Sequence, residues 1–167
     1  MGEYFKLLKV FLPDVTLGLK EARSFAEIYA LTVHELAHSS HFMQVGKSYW
    51  DNYINFIVKS FITSGFVTYG VGTEDNHGYC EVGEMWAYYA QTMLYNERYP
   101  DSHRIFGTGY WFSPQIFLNL DARGLSRIRI FNSLTADVHD REILRKKLIS
   151  LYPEMKSTIN QAFERYN

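Results

Sequence analysis

The sequence predicts a mainly α fold, α+β at most, in one domain covering residues 1–167. Three observations carry this. The segment "KEARSFAEIYALTVHELAHSSHFMQV", Lys20 to Val45, runs 26 residues without Pro or Gly, which is helical length and chemistry. Ser113-Pro114 is a helix-start signal, with Ser at the cap and Pro at the first helical position. Strand-like alternation is confined to "DVTLGL", Asp14 to Leu19, so at most one short strand is expected.

In chain order, the first long helix should run from Lys20 until Gly46 stops it. A second helix is expected over Tyr49–Thr63. "SGFVTYGVGTEDNHGYCEVG", Ser64 to Gly83, is rich in Gly and polar residues and reads as a loop. A third helix should run from about Val82 to Arg98, followed by a loop through "YPDSHRIFGTGYWFS". Further helices are expected over Gln115–Asp121, Ser126–Leu134, Arg141–Tyr152 and Glu154–Arg165, with Pro153 beginning the last.

Composition bounds the function. The 167 residues suffice for a sizeable core. A net charge of −1 without a basic block gives no support to nucleic-acid or anionic-membrane binding. A single cysteine, Cys80, excludes an internal disulfide framework and fits a reducing compartment. No apolar run reaches the ~18–20 residues that span a bilayer. The N-terminus lacks the long apolar region of a signal peptide, so a cytoplasmic protein and an exported fragment both stay open. Aromatic residues make up 17% of the chain, enough to fill a core or to line a groove for peptide or sugar.

The chemistry concentrates at His34-Glu35-Leu36-Ala37-His38, an H-E-x-x-H match inside the first long helix. Residues i and i+4 lie nearly above one another on a helix, so His34 and His38 can offer imidazoles to one metal ion. Glu35 is rotated off that line, where it can reach a water beside the metal. The motif fixes only three residues, so an ordinary polar helix stripe is the competing reading. A catalytic zinc normally has three protein ligands and one open position. The metzincin pattern H-E-x-x-H-x-x-G-x-x-H is not met, because His41 stands in the glycine slot and Gln44 in the final histidine slot. A later helix, "CEVGEMWAYYAQTML", offers Glu84 and, three residues earlier, Glu81. Ala87 and Ala90 follow Glu84 at +3 and +6 and would let this helix approach the motif helix closely.

On "HELAH" (His34, Glu35, His38) and "GEMWA" (Glu84) the chain resembles a zincin metallopeptidase of gluzincin type. The resemblance covers those two helices only. It implies one catalytic zinc held by His34, His38 and Glu84, with Glu81 as the fallback ligand. It further implies that Glu35 is the general base that activates water against a peptide carbonyl, so the substrate would be a peptide or protein. The chain departs from the family in several ways. Tyr88 stands where an Asp often supports a zinc histidine, which leaves Asp75, Asp121 and Asp137 as acceptors without positional support. The 45 residues between His38 and Glu84 form a longer gap than in the thermolysin-like group. The usual upstream sheet is mostly missing, so the chain reads as a minimal zincin or the catalytic part of a larger one. Ser40 stands where family motifs tend to be apolar.

Other groups complete the expectations. Hydrolysis needs a donor for the developing oxyanion, and His77 and Tyr110, both read as loop residues, are the first candidates. Tyr88 and Gln91 share the helix face of Glu84 at +4 and +7. His41 lies at +7 from His34, about 10 Å along the axis, which suits a cleft or supporting histidine better than a fourth ligand. Cys80 lacks a C-x-x-C partner and reads as a buried thiol. Two alternatives stand beside the peptidase: a non-catalytic zinc-binding or scaffold domain, and a zinc hydrolase acting on another amide. Oligomeric state is not legible.

Overall fold

A computed structural model describes residues 24–67 and 69–166. Among them the chain forms seven α-helices and no strand: α1 (Phe25–Val45), α2 (Lys47–Thr63), α3 (His77–Arg98), α4 (Gln115–Ala122), α5 (Arg127–Ser133), α6 (Arg141–Leu151) and α7 (Lys156–Glu164). The mainly α expectation is therefore met. The proposed strand over Asp14–Leu19 lies outside the described residues, and the first long helix begins at Phe25 rather than at Lys20, because Ser24 is an extended cap.

Helix α1 begins where Ser24 accepts the backbone N–H of Glu27 at 3.2 Å, the ordinary N-cap bond. It ends at Gly46, whose φ of 81° leaves the helical region while its N–H still bonds Phe42 O. Helix α2 starts at the next residue, so α1 and α2 form a tight hairpin of helices. Short 3₁₀ turns at Pro100–Ser102 and Pro153–Met155 follow α3 and precede α7. The last helix thus opens with a proline turn, as read from Pro153, but its α portion begins three residues later.

Helix α3 is the axis of the molecule. Its buried residues include Cys80, Val82, Glu84, Met85, Ala87, Tyr89, Gln91 and Tyr95, which point around most of its circumference. On one side Val82, Met85 and Tyr89 join Ile116, Phe117, Leu120, Ile130, Leu144, Leu148 and Phe163 in the main core under α4–α7. On another side Cys80 packs with Tyr53 and Phe56 of α2. Ala30, Val33, Ala37 and Val45 of α1 are buried too, and α1 packs along α3.

The expected loop over 64–83 is corrected at its end. Helix α3 starts at His77, not at about Val82, after Asn76 turns the chain with φ 64°. Glycines 78 and 83 read as loop residues but serve close packing inside the helix. A Cβ on Gly78 would lie 2.2 Å from His139 O, and one on Gly83 would lie 3.1 Å from the Tyr53 ring. His77, Cys80 and Glu81 are consequently helical. Helix α4 starts at Gln115 as expected, but Pro114 rather than Ser113 takes the cap position.

Candidate metal centre

Helices α1 and α3 bring His34, His38 and Glu84 together, and their ligand atoms all lie within 4.8 Å of one another. The helix repeat stacks the two imidazoles, whose Nε2 atoms are 3.1 Å apart. Across the helix interface, His34 Nε2 lies 3.4 Å from Glu84 Oε2 and His38 Nε2 lies 3.4 Å from Glu84 Oε1. Glu84 is 1% exposed and His34 is 6% exposed. Ala37 of α1 and Ala87 of α3 are both buried.

The donor set fits a divalent ion of zinc's size. Bonds of ~2.0–2.1 Å in a tetrahedral shell place neighbouring ligand atoms ~3.3 Å apart. The observed separations of 3.1, 3.4 and 3.4 Å are close to that edge. Glu84 Oε2 is buried and, although near His34, has no aligned hydrogen-bond donor. A buried carboxylate oxygen in that state is poised for a cation.

Neighbours hold two of the three ligands, His34 and Glu84. His34 Nδ1 donates to Gln91 Oε1 at 3.1 Å, which fixes the tautomer and turns Nε2 toward the triad. Gln91 sits two turns after Glu84 on the same helix face, so this support comes from the helix that carries the ligand. Neither Asp121 nor Asp137 plays that part: Asp121 accepts from Tyr89, and Asp137 accepts from Thr135 and Lys147. Asp75 does not enter the triad either. On the carboxylate side, the Tyr53 hydroxyl donates to Glu84 Oε1.

Electrostatics match the geometry. Burial acts to lower the His34 pKa, but Glu84, together with Glu35 and Gln91, more than offsets it and the value is raised. Burial acts to raise the Glu84 pKa, yet His38 and His34 beside it hold the carboxyl well below the usual range. The Tyr53 phenol is pushed up, first by burial and then by the Glu84 charge, so it stays a neutral donor.

The remaining expected residues fall as follows. Glu35 is partly exposed on α1, and its charge acts on His34. His77 is not brought to the triad. It opens α3 two turns before Glu84, its Nδ1 lies 2.8 Å from Glu74 O, and its ring meets Trp111 at 5.7 Å. With Trp111 and Arg141 it lines a separate open cleft of about 460 Å³. Tyr110 stands one ring behind the site: it packs on Tyr88 at 5.7 Å, and Tyr88 packs edge-on to His34 at 4.5 Å. Glu81, the fallback ligand, is instead paired with Arg141 through the guanidinium and the Arg141 backbone N–H. Cys80 is a free, fully buried thiol, and burial pushes its pKa up. His41 is fully buried and lies outside the ligand group. Sequence reasoning passed over Tyr53 and Trp50. Their helix shows Tyr49, Tyr53, Phe56 and Ser60 at helical spacing, which looks like core packing and gives no sign of a contact with Glu84.

Comparison of the chain with protein-family models, curated proteins and solved structures finds no match. The functional reading therefore rests on the residues and their arrangement. No helix among the described residues is long and apolar enough to cross a membrane.

Proposed function

We propose that the protein is a zinc-dependent hydrolase that cleaves peptide bonds, a metallopeptidase of the zincin kind. The observation that carries this is the convergence of His34 Nε2, His38 Nε2 and the Glu84 carboxylate at 3.1–3.4 Å, beside a glutamate in the H-E-x-x-H position.

A zinc ion held by His34, His38 and Glu84 would supply Lewis acidity to a water and to the substrate carbonyl. Glu35, next to a ligand and partly exposed, takes the proton of the attacking water and later delivers it to the leaving amine. Gln91 keeps His34 in the tautomer that presents Nε2, and Tyr53 fixes the Glu84 carboxylate. Tyr88, in contact with the His34 ring, keeps its phenol proton because burial and then the Glu84 charge raise its pKa. It is therefore the donor we assign to the developing oxyanion, in place of His77 and Tyr110.

The test is zinc stoichiometry followed by peptide hydrolysis. The wild-type protein should bind one zinc per chain and cleave peptide, and Glu35→Gln should keep the zinc while losing cleavage. Retained cleavage in Glu35→Gln would refute the mechanism. One bound zinc without hydrolysis of any peptide or amide in the wild type would leave a zinc that only joins α1 to α3.

A further inference from the structure

The triad uses one nitrogen of each histidine, and the spare nitrogens are treated differently. His34 Nδ1 finds Gln91. His38 Nδ1 is buried and has no hydrogen-bond partner. One helical turn along α1, His41 is 0% exposed and both of its ring nitrogens lack partners. Trp50 Nε1 of α2 is buried and unpartnered as well. The three rings form one group: Trp50 meets His38 edge-on at 5.3 Å and His41 edge-on at 5.9 Å. Among the described residues, every buried side-chain nitrogen or oxygen without a partner belongs to this group or is Glu84 Oε2. Unmet donors are costly in an interior, and their gathering at one place calls for a shared partner.

The donor and acceptor count identifies that partner. With Nε2 facing the triad, His38 carries its proton on Nδ1 and donates there. Trp50 Nε1–H only donates. Burial keeps His41 neutral, so it has one acceptor nitrogen and one N–H. A partner common to all three must accept from His38 and Trp50 and donate to His41. A water molecule does this with three of its four bonds, within the usual range for buried waters. The Tyr49 ring lies nearly perpendicular to His41 at 5.0 Å, within the range of an N–H···π contact for the remaining His41 N–H. A metal ion does not fit, because an indole N–H is no ligand.

We propose that His38, His41 and Trp50 bind one buried water, and that His41 acts through it as a positioning residue for His38. The positioning role and the proton assigned to His38 Nδ1 rest on the zinc reading of His38; without zinc the water can instead donate to Nδ1, so the water site itself does not. Gly83 belongs to the same arrangement, since a Cβ there would approach Tyr53 at 3.1 Å and His41 Nδ1 at 3.8 Å. It lets α3 pack closely against Tyr53 and His41.

The experiment pairs zinc titration of four proteins with a high-resolution crystal structure of the wild type. The proteins are wild type, His41→Phe, His41→Gln and Trp50→Phe. Wild type should bind one zinc, and His41→Phe and Trp50→Phe should bind it about 10- to 100-fold more weakly, the usual effect of removing support for a ligand. His41→Gln, which keeps an acceptor and a donor, should recover most of the affinity. Simple packing would give the opposite order, because Phe preserves the ring. The crystal structure should show one isolated peak within ~3.2 Å of His38 Nδ1, Trp50 Nε1 and a His41 nitrogen. Wild-type zinc affinity in both Phe variants would overturn the positioning role. A protein side chain in place of the peak would overturn the water site. If wild type binds no zinc, the metal reading and the positioning role fail together, and the peak alone decides the water site. Should His41→Phe not fold, Trp50→Phe and the crystal structure carry the test.

Discussion

In the proposed centre, Glu35, Tyr53 and His41 each have a measurable signature. Glu35→Gln should reduce kcat/KM by about 10²- to 10⁴-fold, the range for losing a general base, with zinc content unchanged by metal analysis. Tyr53→Phe removes the donor to Glu84, and zinc affinity by competition with a chelator should drop about tenfold. His41 sets a pH dependence in the metal-free protein. Burial, and after it the charge of His38, lowers its pKa from 6.5 to about 3. The unfolded chain therefore binds the extra proton first. Its neutral burial costs nothing above pH 6.5, and stability is lost progressively as pH falls from 6.5 toward about 3. His34 is raised, so its contribution has the opposite sign, present below 6.5 and lost as pH rises through its folded value. The difference between wild type and His41→Phe isolates the His41 part. Urea midpoints measured across pH 4–7 should show a shallower acid loss in the variant, and equal slopes would contradict the assignment. At this scale the sequence revealed His34, Glu35, His38 and Glu84 as a possible unit, because helical spacing alone stacks the first pair. Tyr53 and Trp50 were not legible, since a tyrosine in a buried helix stripe looks the same whether or not it meets a carboxylate from another helix.

At the level of elements, the decisive fit is the three-way junction of α1, α2 and α3 at Gly83. Any larger side chain there meets the Tyr53 ring at 3.1 Å, and Tyr53 is pinned by its bond to Glu84. Gly83→Val should cost about 1–3 kcal/mol by overpacking and should weaken zinc binding at the same time, by thermal unfolding and metal titration. An element cap far from the site gives the control. Asp140 Oδ1 accepts Ile143 N–H at 2.7 Å at the start of α6, so Asp140→Ala should cost about 1 kcal/mol without changing zinc affinity. The same glycines explain what the sequence obscured. "DNHGYCEVG" has loop composition, and helical packing against His139 and Tyr53 is a tertiary demand that local propensity does not register. Long helices with clear stops were legible, as Gly46 and the end of α3 at Arg98 show.

Across the whole molecule, α3 divides two layers of unequal apolar content. The main core lies between α3 and α4–α7. A smaller apolar cluster of Tyr53, Phe56 and Cys80 lies between α2 and α3, and the polar ligands sit at the α1–α3 boundary. Zinc would bridge that boundary, so binding should stabilise the two layers differently. Hydrogen exchange should slow in α1 and α2 on zinc loading while α4–α7 change little. Uniform protection across all helices would contradict this division. The sequence showed that a sizeable core was affordable but not how it is partitioned, because partition depends on which faces of α3 meet which helices. The most direct measurement is zinc-edge X-ray absorption on the loaded wild-type protein and on Glu84→Ala. One zinc with two imidazole nitrogens, one carboxylate oxygen and a non-protein oxygen, lost or reduced to two protein ligands in Glu84→Ala, is the expected result. No stable zinc, or a shell closed by four protein ligands, would contradict a catalytic centre at His34, His38 and Glu84.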